Sequence, residues 1–375
     1  MNALDEVQAH AAALAGLAGM TPVRLAKMLD GFDPVVAFLA VRSGAHPGDP
    51  RRRFRTPARE SDPREVGRRY ERAGVAVLLR DRPGYPSRLI GDPGAPAVLF
   101  ALGDPGVLEG RPRVAVVGTR SATPYGRQVA SELAAELSRH GVTVVSGLAM
   151  GIDAAAHAGV VLGGGEGAAP PVAVVGTGLD VIYPATNRDL WEQVARRGAV
   201  LAESPLATQA RPGVFPARNR IIAALSDIVV VVESHLRGGS LYTAEAAARR
   251  SIPVCAVPGS VWSPSSAGTN SLLVDGCTPV RDATDVLVAL GLACAGKPDQ
   301  RGLPVGRGSS RGPLREDAGL TQPQRAVLAA VEFQPTALET ILLRTDLSIV
   351  DVATACDELV ESGSLVSGPG WWAQV

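Results

Sequence analysis

From residue 113 onward the hydrophobic positions fall into short β-branched runs separated by stretches with helical spacing. The runs lie near residues 113–117, 142–146, 172–176, 199–202, 227–232 and 253–257. Helical stretches lie between them, near 124–139, 151–162, 187–197, 216–225 and 240–250. Parallel neighbours need crossover connections, so this alternation predicts an α/β fold with a Rossmann-like doubly wound parallel sheet. The first unit shows the grammar. Val114 to Val117 breaks at Gly118, Val129, Leu133 and Leu137 recur at helical spacing, and Val142 to Val145 runs into Ser146-Gly147. Both strands end in glycine turns at their carboxyl ends, where open α/β sheets place ligands.

The flanks read differently. Residues 1–45 predict a small helical domain of helix-hairpin-helix or SAM type, with Leu14, Leu17, Val23, Leu25 and Leu29 as its core. Thr21-Pro22 has the form of an N-cap followed by proline at the first helical position. Residues 46–73 read as a solvated linker, because the basic run Arg51 to Arg55 is followed closely by Glu60, Asp62 and Glu65. The Rossmann-like domain then covers residues 74–290, entered through strands at 75–79 and 98–101. Residues 291–320, rich in Gly, Pro, Ser and Arg, predict a flexible linker. Residues 321–375 predict a winged-helix domain, with helices at 323–331, 336–343 and 349–362 and a two-stranded wing around Gly-Pro-Gly. That domain holds two basic residues, Arg325 and Arg344, against seven acidic ones, and Asp351, Asp357, Glu358 and Glu361 lie on its third helix. Acids on a recognition helix repel phosphates, so the domain is expected to contact protein rather than DNA.

Composition narrows the classes. With 375 residues, 46% of them hydrophobic, and a mean hydropathy of +0.14, the chain can bury a sizeable core in more than one domain. No apolar run reaches membrane-spanning length and the N-terminus lacks signal-peptide order, so a cytoplasmic protein without a membrane is expected. The four cysteines form no CxxC pair and the five histidines are scattered, so neither a metal site nor another cofactor is expected. Formal net charge is zero, so any anion binding must be local.

The turns carry that local chemistry. Gly118-Thr119-Arg120 lacks dinucleotide-fingerprint spacing, yet it offers a hydroxyl, backbone N–H groups and a guanidinium to a phosphate. Ser146-Gly147 and Gly176-Thr177-Gly178 follow the next two strands, giving a wide anion-binding rim. Phe215-Pro-Ala-Arg218-Asn219-Arg220 opens a helix in which the two arginines do not share a face, so one is expected at the rim and the other in solvent or an internal pair. Gly239 and Ser240 precede a further helix start. Candidates for acid–base work are Asp153, His157, Glu203, Glu233 and Glu245, with Asp153 and His157 four apart on one helical face.

VGTRSATPYG, VVSGLAMGIDAAAH, GTGLDVIYP, FPARNRIIAALS, GGSLYTAEAA and the later Gly-Thr-Asn270 follow one another between residues 117 and 270, within a region of about residues 75–290. In that order they resemble the motifs of the DNA-processing protein A (DprA, or Smf) family. The resemblance implies a non-enzymatic recombination mediator that binds single-stranded DNA and loads the RecA recombinase onto it, in natural transformation or recombination. It also implies displacement of single-strand-binding protein and a homodimer. Carried over by motif, Gly118, Thr119, Arg120, Ser146, Gly147, Arg218, Asn219, Arg220, Gly239 and Ser240 would line the DNA site. Phe215, an aromatic at a helix entry, is placed either to stack on a base or to pack in the core. Met150 departs from the family, which usually has a basic or polar residue there. The competing reading is a Rossmann-like nucleotide-processing enzyme of phosphoribohydrolase type, echoed by Gly238 to Glu245 but lacking its second Gly-Thr pair.

Overall fold

The apolar runs assemble into one nine-stranded sheet. Its strands are β1 (Val75–Leu79), β2 (Val98–Gly103), β3 (Arg113–Val117), β4 (Thr143–Ser146), β5 (Val172–Val175), β6 (Ala199–Ala202), β7 (Ile228–Val231), β8 (Val254–Ala256) and β9 (Thr278–Pro279). The computed structural model describes residues 4–80, 82–165, 167–292, 320–331, 336–368 and 371–374. Spatial order is β1-β2-β6-β5-β4-β3-β7-β8-β9, parallel from β6 to β9, with the β1–β2 hairpin adding two antiparallel strands beyond β6. The chain winds outward from β3 through β4, β5 and β6 and then returns to lay β7 on β3's other side. The β3/β7 boundary is therefore the topological switch point, the place where such sheets open a crevice.

Helices α1 (Glu6–Ala15), α2 (Pro22–Leu29), α3 (Pro34–Ser43), α4 (Arg55–Glu60) and α5 (Pro63–Arg72) precede the sheet. Between and after its strands come α6 (Pro124–Arg139), α7 (Ile152–Gly163), α8 (Arg188–Arg197), α9 (Val214–Leu225), α10 (Leu241–Ala248), α11 (Ala267–Val274) and α12 (Ala283–Ala289). Successive residues of a strand face opposite ways. Ala115 and Val117 accordingly pack with Ile221, Ile222 and Ala247 of α9 and α10. Val114 and Val116 pack with Leu133, Ile152 and Val286 of α6, α7 and α12.

Residues 46–73 are folded rather than a linker. Phe54, Ala58 and Tyr70 are buried, in one core with Leu14 and Phe38 of the first helices and Phe100 and Val175 of the sheet. The Tyr70 hydroxyl accepts the Leu206 N–H at 3.1 Å. The N-terminal helices thus share a core with the sheet, and residues Met1–Ala293 form one compact unit. Thr21 caps α2 with Pro22 next to it, as the sequence predicts. Val23, expected in the core, is 69% exposed, because α2 turns Leu25 and Met28 inward instead.

The second unit lies within Cys294–Val375. It contains α13 (Gln322–Ala330), β10 (Thr336–Ala337), α14 (Leu338–Arg344), α15 (Ile349–Glu361), β11 (Leu365–Gly368) and β12 (Trp371–Gln374), with sheet order β10-β12-β11. Three helices and a small antiparallel sheet pack around Val327, Ile341, Val352 and Leu359. The segment read as a flexible linker lies almost wholly outside the described residues, as do the last two residues of the Gly-Pro-Gly turn.

Candidate nucleic-acid interface

Two tight approaches shape the crevice. A Cβ on Gly118 would stand 2.8 Å from the Glu233 carbonyl oxygen and overlap Ile152, so only glycine lets the end of β3 pass between β7 and α7. A Cβ on Gly147 would overlap the Arg218 guanidinium, so the turn after β4 lies directly on that side chain. These glycines serve close packing.

The resulting cleft has a volume of about 380 Å³ and is lined by Gly118, Thr119, Arg120, Asp153, Phe215, Arg218, Asn219, His235 and Arg237 to Ser240 among others. Its cations differ sharply in availability. Arg120 is exposed, and its guanidinium carbon lies 4.6 Å from the centre of the Phe215 ring. Phe215 stacks in turn on Tyr183 at 5.4 Å, and Tyr183 is 43% exposed. Among the described residues Arg120 forms no hydrogen bond or salt bridge, so a cation–π stack orients it while its N–H edge stays open. Arg237 is likewise exposed on the other wall.

Arg218 is buried beneath the Gly147 turn and donates to the Val174 carbonyl. Burial pushes its pKa down to about 10, with Asp153 holding it up, so it remains a cation at neutral pH. Arg220 pairs with Glu203 at 2.6 Å and also donates to the Gly94 carbonyl. Of the two arginines expected to be split between rim and interior, one is therefore walled in and the other is tied up.

Several other predicted contacts are structural. Ser146 is fully buried and donates to the Val116 carbonyl at 2.7 Å, joining β4 to β3. Thr119 spends its backbone N–H on the Glu233 carbonyl at 2.8 Å, so that group is not available to a phosphate. Asn219 donates to the Gly239 carbonyl at 3.2 Å and holds the glycine turn against α9. Ser240 is buried, with its hydroxyl 3.0 Å from that of Ser234. Gly239 is exposed and has open space around it. Three helices begin at this edge, α7 after Gly151, α9 after Gly213 and α10 after Ser240, and none has a side-chain cap. One N–H of each first turn is already spent, Ile152 on the Thr119 carbonyl, Val214 on Arg211 and Leu241 on Gly238, and Pro216 of α9 has none; the N–H groups that remain suit an anion.

The acid–base candidates have other employment. Glu233 accepts from the Thr123 N–H and hydroxyl at 2.9 and 2.6 Å, and Glu245 pairs with Arg249 at the surface. Asp153 is buried, and burial raises its pKa against the pull of Arg218. No hydrogen bond links it to His157 among the described residues, and burial pushes His157 down to about 3, keeping it neutral. No group of side chains able to hold a metal ion occurs among the described residues. Nor is any described helix long and apolar enough to cross a membrane.

The sequence motifs did not single out Tyr183 and Arg237. Tyr183 stands in the GTGLDVIYP motif, and Arg237 directly precedes the Gly-Gly pair, so position relative to the motifs was the available signal.

A family model described as DNA recombination-mediator protein A matches residues 76–291. The chain is 35% identical over 323 residues to Protein Smf of Synechocystis, an alignment covering 80% of each chain. Its fold matches the X-ray structure of DNA processing protein A from Streptococcus pneumoniae with a TM-score of 0.65, at 31% identity, covering 76% of this chain and 98% of that one. It also matches the DNA processing protein A of Helicobacter pylori, whose structure is described for its single-stranded DNA binding mode. There the TM-score is 0.51 at 29% identity, over 58% of this chain and 95% of the other. Sequence and fold agree with the order of the glycine turns along the sheet edge, and the chain belongs to the DNA-processing protein A (DprA/Smf) family of recombination mediators.

Proposed function

We propose that the protein binds the backbone of single-stranded DNA along the switch-point cleft and loads RecA onto that strand, without catalysing a reaction of its own. The observation that carries this reading is Arg120. It is an exposed cation on an aromatic stack, at the mouth of a cleft into which uncapped helix N-termini open. A phosphate on Arg120 and the first turn of α10 would be gripped without reference to base identity, so binding would be independent of sequence. Phe215 and Tyr183 add a flat surface for bases, which single strands expose and duplexes do not. The Helicobacter pylori relative's single-stranded DNA binding mode supports the same substrate. The phosphoribohydrolase alternative rests on the Glu downstream of the Gly238 turn, and here that residue, Glu245, lies in a surface ion pair with Arg249. Family membership supports a homodimer, action in the cytoplasm, displacement of single-strand-binding protein and a role in transformation or recombination.

A salt titration of fluorescent single-stranded and duplex oligonucleotides tests the grip. Single strands should bind more tightly, and Arg120→Ala should weaken strands of all sequences alike and reduce the salt slope by about 1. Equal affinity for duplex, or loss confined to one base composition, would remove the backbone mechanism. RecA filament assembly on strands coated with single-strand-binding protein, with and without the protein, tests the loading step.

A further inference from the structure

We propose that the cavity between the N-terminal helices and the carboxyl edge of the sheet is a nucleotide pocket that accepts a base and its phosphate. This inference rests on the single-strand reading of the neighbouring cleft. The cavity measures about 560 Å³, within the range of small-ligand sites. Leu17 and Leu25 come from the N-terminal helices, and Leu206 and Val214 from the loop after β6 and the start of α9. Apolar surface on both sides suits the faces of a base.

Polar groups are available at the wall. Arg211 lines the cavity, is exposed, and its side chain makes no hydrogen bond or salt bridge among the described residues. The first turn of α9 begins beside it without a side-chain cap; the Val214 N–H donates to the Arg211 carbonyl at 3.4 Å and Pro216 has none, so Phe215 supplies the N–H for an anion. Thr21 accepts the Arg24 N–H at 3.3 Å, and as a hydroxyl it also has a proton to donate. An anion held by Arg211 and α9 would place the attached base between the apolar sides.

An independent observation connects this cavity to the rim. Arg218 lines both cavities, is only 6% exposed, and has an Nε–H with no acceptor among the described residues. A buried guanidinium with a spare donor is costly unless something satisfies it. Because Arg218 borders both cavities, a strand held on Arg120 would pass this side chain to place its next nucleotide in the pocket.

Ala217 lines this cavity but not the rim cleft, and it is exposed on α9. Ala217→Trp should fill the pocket, with a thermal melt checking that the full-length variant folds. Arg211→Ala provides a second, smaller change. The readouts are affinity for oligonucleotides carrying 2-aminopurine at successive positions, and the fluorescence of each position. One position should be shielded in the wild type and lose its shielding in Ala217→Trp. Affinity should fall about tenfold in that variant and by less in Arg211→Ala. A titration with free deoxyadenosine monophosphate distinguishes the sources. Binding of the mononucleotide that Ala217→Trp abolishes, with strand affinity unchanged, would assign the pocket to a free nucleotide. Wild-type behaviour of Ala217→Trp toward both strand and mononucleotide would overturn the proposal. Failure of the wild type to bind any strand is a separate result, since it would overturn the reading of the rim as well.

Discussion

At the residue scale, the site depends on which arginines are spent. Arg120 is held by an aromatic ring that leaves its donors open, whereas Arg218 is packed beneath Gly147. Gly147→Ala should therefore destabilise the protein by roughly 1–3 kcal/mol, since the added methyl displaces a buried guanidinium. Urea unfolding of Gly147→Ala, Arg218→Ala and the double variant checks this. Relief of the overlap predicts a double variant more stable than the two single losses add up to, and strict additivity would refute the contact. His157 contributes a pH dependence whose sign is fixed by its depressed pKa of about 3. The unfolded chain's histidine binds a proton near pH 6.5 and the folded one does not, so this contribution is full above pH 6.5 and is lost as pH falls toward 3. The slope approaches about 1.4 kcal/mol per pH unit for this group. Asp153, with a raised pKa, acts in the opposite direction. His157→Leu should flatten the fall in stability between about pH 6 and pH 4 in urea titrations, and an unchanged slope would remove His157 as its source.

At the element scale, the switch point is clamped by a carboxylate. Glu233, just beyond β7, accepts two bonds from Thr123, which itself caps α6 by accepting the Gly126 N–H at 3.1 Å. Glu233→Ala should cost roughly 1–3 kcal/mol by stranding these donors, with Glu233→Gln costing less, while the salt dependence of strand binding stays the same in both. Equal losses in the two variants would show that charge, not hydrogen bonding, makes the clamp. The elements that build this region were legible because buried parallel strands are continuous apolar runs. β9 was not, being two exposed residues that include Pro279. α5 reads as linker because PREVGRRYER is mostly charged, and in the fold it buries only Pro63, Gly67 and Tyr70. The glycine turns also announced the cleft at the sheet edge. The fate of Arg218 and Arg220 did not show, because it is set by Val174, Asp153 and Glu203, partners far away in sequence.

At the scale of the whole molecule, the two units carry opposite electrostatic instructions. The first offers exposed arginines at a sheet edge. In the second, Asp351, Asp357, Glu358 and Glu361 are all exposed on α15, close in sequence to the exposed Ile349 and Val350. A helix carrying four exposed acids would meet the phosphates of a major groove with repulsion, since neutralising phosphates is what supplies DNA affinity. Apolar residues amid those acids suit a protein surface better. The two functions should therefore separate on cutting the chain after residue 292. Residues 1–292 should retain the salt-dependent grip on single strands, and residues 321–375 should shift neither single-stranded nor duplex DNA at moderate salt. Measuring both fragments beside the full chain decides the matter. DNA binding by the isolated 321–375 fragment would show that its fold overrides its charge. Loss of strand binding from residues 1–292 would mean that the rim cannot act without the second unit.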